Sequence, residues 1–417
     1  MNFDNLDANL DPNLDPWRHR YADRASFLKS SEIRALFAVA TRPEIVSLAG
    51  GMPYLDGMPF KEMGEKVKEL IETRGTEMWQ YGAAQGFERL RELVLDICGL
   101  EGVKSTKENV VITSGSQQAL DYITRIFINP GDVVLAEAPN YVGALGVFRS
   151  YQARVQNVKI DKDGIIPEKF EQLLERLDRA GERVKFLYTV PNFHNPAGVT
   201  MSEERRPKIL EICKKYGILI VEDNPYGLLS FDGSVLPSIY SYDYDSKLGF
   251  APNVVYLGSF SKIMAPGFRV GWMVAPNGIR DKLVLSSESA ILCPSNASQM
   301  TLVTYLENFD WKKQIRKFRE IYKERHSAMV EALGKYLPNC TYNDPTGGFY
   351  IWLKVPEGIN TKAIQNECLD AGVAYVPGRG FYADGKGDDH MRLSFCFPTP
   401  EQITEGIKRL STVINKY

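Results

Sequence analysis

The chain predicts an α/β fold, a mainly parallel central sheet sandwiched by helices with a smaller α+β domain beside it, on three observations. First, short apolar runs without polar alternation recur from about Asn109: Val110-Val111-Ile112-Thr113, Val133-Val134-Leu135, Phe186-Leu187-Tyr188, Ile218-Leu219-Ile220-Val221, Val254-Val255-Tyr256-Leu257 and Val270 to Val274. Such runs suit strands buried on both faces of a parallel sheet. Second, helical stretches alternate with them, as a sheet covered on both sides requires. Third, 417 residues exceed one compact core, since domains usually hold roughly 100–200 residues.

In chain order, the opening repeats Asn-Leu-Asp from Asn5, Asn9 and Asn13, and Pro12 and Pro16 discourage a regular helix. Residues 1–30 are expected to form a flexible arm. Ser31 precedes Ile33, Leu36, Phe37 and Val39 at helical spacing, and Pro43 ends that helix. Residues 31–75 are expected to belong to the small domain, and 76–325 to form the large one. Within it, Ser202 is the expected N-cap of a helix whose apolar stripe is Ile209, Leu210, Ile212 and Cys213. Glu203 and Glu204 favour its positive end, and Gly217 supplies a left-handed stop. Residues 326–417 are expected to complete the α+β unit, with strands at Phe349 to Val355, Val373 to Val376 and Met391 to Phe395 and a closing helix from Pro400.

Composition removes several function classes. Apolar residues make up 44% and charged residues 24% of the chain, the averages of a globular protein. Fifty Lys+Arg against 52 Asp+Glu leave a formal charge of -2, so no whole-molecule field draws nucleic acid or an anionic membrane. Any anion site must be local. The six cysteines form no CxxC and the four histidines no HxH or HExxH, which argues for reduced thiols and against a metal. The acidic opening has no signal-peptide pattern, and no stretch approaches the ~20 apolar residues that span a bilayer. A cytoplasmic location is expected.

The residues with chemical potential follow the strands. Thr113-Ser114-Gly115-Ser116-Gln117-Gln118 leaves a buried strand and opens a helix, where free N–H groups and the helix dipole can hold a phosphate. A Gly-Ser turn by itself serves equally as a turn. Ser259-Phe260-Ser261-Lys262 leaves another strand, with Arg269 close behind. Two hydroxyls, an amine and a guanidinium there make a second anion-binding surface with a nucleophilic lysine. Val221-Glu222-Asp223-Asn224-Pro225-Tyr226 and the segment from Tyr188 through Asn195-Pro196-Ala197-Gly198 end two more. Ligands of open α/β sheets gather at strand carboxyl ends.

This set resembles the fold-type I pyridoxal-phosphate enzymes, in the aminotransferase branch that contains 2-aminoadipate and kynurenine aminotransferases. SGSQQAL, NPAG, VEDNPY, SFSK with Arg269, and MRLSF occur together and in family order, from about Ser31 to the end. The resemblance implies pyridoxal 5'-phosphate as cofactor. It makes Lys262 the Schiff-base lysine, sets Asp223 against the pyridine nitrogen, and brings Asn195 and Tyr226 to the phenolic oxygen. Ser116, Gln117, Ser259, Ser261 and Arg269 match phosphate ligands, and Tyr141 the aromatic that stacks on the ring. Tyr81, in Gln80-Tyr81-Gly82, matches a tyrosine sent across a homodimer interface to the partner's phosphate. Arg392 matches the grip on the substrate α-carboxylate, with Asn195 and Gly51 as further substrate contacts. Arg34 resembles a reader of a distal carboxylate, although an arginine on an amphipathic helix is as readily solvated.

The residue types suit these roles. A carboxylate at Asp223 favours the protonated, electron-withdrawing ring, a freed Lys262 can act as acid and base at the substrate Cα, and an arginine fork grips a carboxylate by two parallel bonds. The implied activity transfers the amino group of an aromatic, kynurenine-like or 2-aminoadipate-like amino acid to a 2-oxo acid such as 2-oxoglutarate. Tyr54 and Met58 are candidates for an apolar side-chain pocket. The rivals are a fold-type I β-lyase or decarboxylase, because the same cofactor cup serves several reactions, and a regulator fused to a winged helix. No space for that module is expected ahead of Ser31.

Overall fold

The computed structural model describes residues 15–28 and 42–417. Arg34, the helix expected after Ser31 and the first fourteen residues of the arm lie outside the described residues. The described part of the arm, 15–28, holds two short 3-10 turns, Arg18–Arg20 and Asp23–Phe27.

The strands, in chain order, are Val46–Ser47 (β1), Val110–Thr113 (β2), Val133–Ala138 (β3), Arg154–Asp161 (β4), Gly164–Ile165 (β5), Val184–Thr189 (β6) and Leu219–Asp223 (β7). Val254–Ser259 (β8), Gly271–Val274 (β9), Thr341–Tyr342 (β10), Tyr350–Lys354 (β11), Val373–Ala374 (β12), Val376–Pro377 (β13) and His390–Ser394 (β14) follow. Eight of them form the large sheet in the order β2-β9-β8-β7-β6-β3-β4-β5. From β8 through β7, β6 and β3 to β4 the neighbours are parallel. β9 is antiparallel to both β2 and β8, with Gly271 opposite Thr113 on one side and Ser259 on the other. The carboxyl ends of β2, β3, β6, β7 and β8 therefore share one rim with the amino end of β9.

All residues of β2, β8 and β9 are buried, as expected for strands covered on both faces. β4 is the strand that the apolar runs do not reveal. Only Val158 of its eight residues is buried, because near the sheet margin one face meets solvent and Arg154, Lys159 and Asp161 are tolerated.

The helix after β6 starts later than the sequence suggests. It spans Arg205–Lys215, and Ser202 is not its N-cap: Glu204 holds that position without a side-chain cap bond. Ser202 instead sits in the preceding turn, where its carbonyl accepts from Arg205 N–H at 3.1 Å. Gly217 does adopt the left-handed conformation, at φ 63°.

The second sheet, β10-β11-β14-β13, is antiparallel. It puts Arg392 on β14 between Trp352 and Val376. β1 pairs in parallel with β12, and Ser394 N–H donates to Leu48 O at 2.7 Å, so the first strand among the described residues is bound to the C-terminal unit. The helix Trp311–Tyr336 runs continuously past residues 325 and 326, and Pro400–Ile414 closes the unit with a capping box at Thr399 and Gln402. All six cysteines are free thiols, five of them buried. Among the described residues no helix is long and apolar enough to cross a membrane.

Candidate active site

A cavity of about 340 Å³ opens at the shared rim, against β11 and β14 of the small sheet, a size within the roughly 300–1,000 Å³ of small-molecule sites. Its anion-attracting end is built by backbone as much as by side chains. Gly115 turns the chain at φ 84° into the helix Ser116–Phe127, whose first N–H groups lack intrahelical partners. A Cβ on Gly271 would stand 2.8 Å from Ser116 N, and one on Gly115 would stand 2.9 Å from Arg269 Nη2. The two glycines thus allow the segments 114–116 and 269–271, distant in sequence, to meet. Arg269, itself left-handed at φ 51°, donates from Nη2 to Ser114 O at 3.2 Å. Ser259 and Ser261 line the same end, with Ser259 Oγ accepting from Ser261 N–H at 3.1 Å.

At another point of the cavity wall, β7 delivers Asp223. Tyr188 O–H donates to its Oδ2 at 2.8 Å, while its Oδ1 is buried with no partner among the described residues. Burial pushes this carboxyl up to about 6, and the Tyr188 bond partly opposes the shift. An ionised oxygen left without a donor in the interior is costly, so this atom calls for a cationic or N–H group in the cavity.

Lys262 belongs to the one-turn helix Phe260–Ile263 that follows β8. Its Nζ donates to Gly51 O at 2.8 Å and lies 5.6 Å from the Phe349 ring centre. Burial, reinforced by Arg392 and Arg269 against an opposing pull from Cys396, lowers the amine to about 8.

Arg392 is buried at 2% exposure, with its guanidinium 4.3 Å from the Tyr350 ring centre. Nη1 donates to Asn195 Oδ1 at 2.9 Å and Nη2 to Ala49 O at 2.7 Å, whereas Nε has no partner among the described residues. The Asn195 loop is itself braced: buried His194 brings Nε2 within 3.3 Å of Glu137 Oε2 and accepts from Ala197 N–H at Nδ1. Tyr226 packs edge-on against Tyr350, with ring centres 6.1 Å apart, and burial drives its phenol well above the ordinary value. Tyr141, pushed up to about 12 chiefly by burial, donates to Gln117 Oε1 at 3.2 Å.

Of the residues singled out in the sequence, Gly51, Ser116, Gln117, Tyr141, Asn195, Asp223, Tyr226, Ser259, Ser261, Lys262, Arg269 and Arg392 all border this one cavity. Tyr81 does not; it is 76% exposed. Tyr54 and Met58 are not on its wall either. Met58 is buried in the core and Tyr54 lies under Arg325, 4.6 Å from ring centre to guanidinium, while Met52 from the same segment lines the cavity. The wall also holds residues to which the sequence assigns no role: Met52, Val190, Pro225 and Pro266, and two phenols, Tyr188 and Tyr350. A Cβ on Gly51 would collide with Tyr350 Oη, whereas the Gly347-Gly348 pair just before Tyr350 makes its close approach to Phe193 and Leu229 O, so no local signal places Tyr350 on the wall.

An open sheet with its ligand cavity at the strand ends, closed on one side by a smaller antiparallel unit, defines a fold-type I transferase. The chain belongs to the aminotransferase class I and II family, whose model matches residues 43–410. It is 40% identical over 399 residues to aromatic-amino-acid aminotransferase 1 of Thermococcus litoralis, covering 95% of this chain and 94% of that protein. To the 2-aminoadipate transaminase of Thermus thermophilus it is 34% identical, covering 95% and 97%. The solved kynurenine aminotransferase of Pyrococcus horikoshii, in complex with PMP, superposes with a TM-score of 0.90 at 38% identity, covering 97% and 99%.

Proposed function

We propose that the protein transfers the amino group of an aromatic or kynurenine-like amino acid, or of 2-aminoadipate, to a 2-oxo acid such as 2-oxoglutarate, with pyridoxal 5'-phosphate held in the cavity. The single observation that carries this reading is the unpaired, buried Oδ1 of Asp223 in the same cavity as the low-pKa amine of Lys262. The cavity fits the cofactor at both ends, since the Gly115 turn, Ser116, Ser259, Ser261 and Arg269 would hold its phosphate and Asp223 its ring N–H. When bound, the cofactor supplies an aldehyde to take the amino group and an electron sink that acidifies the substrate Cα–H.

The remaining work falls to the side chains. Lys262 Nζ, lowered to about 8, is poised to carry a proton near neutrality. Tyr141 would lie on the cofactor ring, with Gln117 holding its O–H, and Asn195 and Tyr226 would serve the phenolic oxygen. Arg392 would hold the substrate carboxylate, its plane set by Asn195, Ala49 and the Tyr350 face. Arg392→Lys keeps the charge and loses the fork, so kcat/KM should fall for every donor alike, on the order of a hundredfold or ~2.7 kcal/mol. Steady-state kinetics with an aromatic and an acidic donor check this.

Among the described lining residues the cations are Lys262, Arg269 and Arg392, while Met52, Val190, Pro266 and Tyr350 offer apolar surface. That supports an aromatic donor. A spectrophotometric screen of donors against 2-oxoglutarate tests the reading: aromatic amino acids should yield glutamate in step with the new 2-oxo acid. Oxo-acid release without glutamate would instead identify a lyase.

The active unit we propose is a homodimer. Trp79 and Tyr81 are 68% and 76% exposed, and Ile291 and Leu292 are exposed as well. Apolar patches of this kind mark interfaces. We also propose a large domain of 76–325 and a small one from 31–75 with 326–417; the pairing of β1 with β12 supports grouping the first described strand with the C-terminal part, while the helices Phe60–Trp79 and Trp311–Tyr336 run across the two boundaries. Reduced thiols support a cytoplasmic location.

A further inference from the structure

Behind the cavity wall runs a buried relay of side chains that the proposed chemistry does not use. Glu101, 3% exposed, accepts from Asn224 Nδ2 at 2.5 Å on Oε1 and from Tyr256 O–H at 2.6 Å on Oε2. Asn224 Oδ1 accepts from Asn192 Nδ2 at 2.9 Å and from Gly227 N–H at 3.1 Å. Asn192 Oδ1 accepts from Arg206 Nη2 at 2.6 Å. Arg206 is fully buried, and its other N–H groups go to the carbonyls of Met201 and Pro237.

The relay has a direction. A guanidinium only donates, so Arg206 requires the oxygen of Asn192. The amide nitrogen of Asn192 must then face the oxygen of Asn224, and that of Asn224 must find an acceptor, which Glu101 provides. Turning either carboxamide over would set donor against donor or acceptor against acceptor in the dry interior. Asn224 lies between Asp223 and Tyr226, and Asn192 begins the loop that carries Asn195. The relay therefore ties the end of β7 and the turn after it, which carry Asp223 and Tyr226, to the loop that carries Asn195. The fit is close, because a Cβ on Gly227 would fall 1.8 Å from Glu101 Oε1.

We propose that Glu101 is a positioning residue: as the terminal acceptor of a relay whose direction Arg206 sets, it fixes the Asp223–Tyr226 turn against the Asn195 loop. The inference rests on the cofactor site proposed above. It is tested by titrating folded apoprotein with pyridoxal 5'-phosphate, following the visible absorbance, and recording thermal unfolding of the same samples. Glu101→Met removes the acceptor and should weaken cofactor binding by about tenfold or more, ~1.4 kcal/mol. Glu101→Gln can still accept from Asn224 with Oε1 while its amide donates to the Tyr256 oxygen, so it should bind within about threefold of wild type. Asn192→Ala cuts the link from the other loop and should resemble Glu101→Met, which keeps the test alive if the methionine variant does not fold. If both disruptive variants lose melting temperature yet bind as tightly as wild type, Glu101 serves stability alone and the proposal falls. Equal losses in Glu101→Gln and Glu101→Met would also overturn it. Wild-type protein that takes up no cofactor would defeat the proposed function itself, and this inference with it.

Discussion

Lys262→Ala is expected to abolish covalent attachment of the cofactor and to lower amino transfer by on the order of 10⁴-fold or more, the scale of losing a positioned nucleophile and proton carrier. Among the described residues no other lysine borders the cavity. Borohydride reduction followed by peptide mass mapping should place the cofactor on Lys262, and finding it on any other lysine would refute the assignment. The amine's low pKa adds a pH signature. Only the neutral amine is nucleophilic, and burial brings its midpoint down to about 8. Stopped-flow attachment to apoprotein should therefore accelerate from pH 6 to 9 and level off above, whereas an ordinary lysine would still be accelerating near pH 10.

Asp223→Asn should act in opposite directions on function and on the stability of apoprotein. Burial raises the folded-state pKa from 3.8 to about 6, so the neutral form is the one the fold prefers. The stabilisation from binding that proton is complete below the unfolded pKa and is lost as pH rises through the folded one. Above it, the ionised carboxylate is a cost on the order of 2–3 kcal/mol. Asparagine keeps an oxygen for Tyr188 O–H and never ionises. Urea unfolding of apoprotein should find the variant more stable at pH 8, with the difference shrinking toward pH 4. The same change removes the charge facing the cofactor ring, and turnover should fall on the order of a thousandfold, ~4 kcal/mol. Turnover within tenfold of wild type would remove Asp223 from its proposed role.

The site was legible where a functional side chain directly follows a buried strand. Asp223 ends β7 and Ser259 ends β8, while Ser116 opens the helix after β2, so the local apolar run predicts both the strand and the rim on which the next residues stand. Legibility failed where contact depends on distant segments. Glu101 and Asn224 are 123 residues apart, and nothing local to either says that they meet. Tyr350 is similar: its strand was foreseen, but its place over Arg392 depends on how the small sheet faces the large one. β4 is illegible for a different reason, since a half-exposed strand carries charges that break its apolar run. The Ser202 cap was misplaced because a serine before a helix can also end the preceding loop, and sequence alone does not say which turn begins the helix.

The reversed strand β9 also orders events in time. β2 and β8 are not bonded to each other; β9 lies between them and is the strand through which β2 joins the sheet, and more than a hundred residues separate β2 from the other two. Until β9 is inserted, the Gly115 turn has no fixed relation to Ser259, and Arg269 cannot reach Ser114. Such distant closures are slow steps in folding. A refolding chain should thus gain most of its parallel strands before it gains any grip on a phosphate, and the ability to hold the cofactor reports the last seam of the sheet being closed.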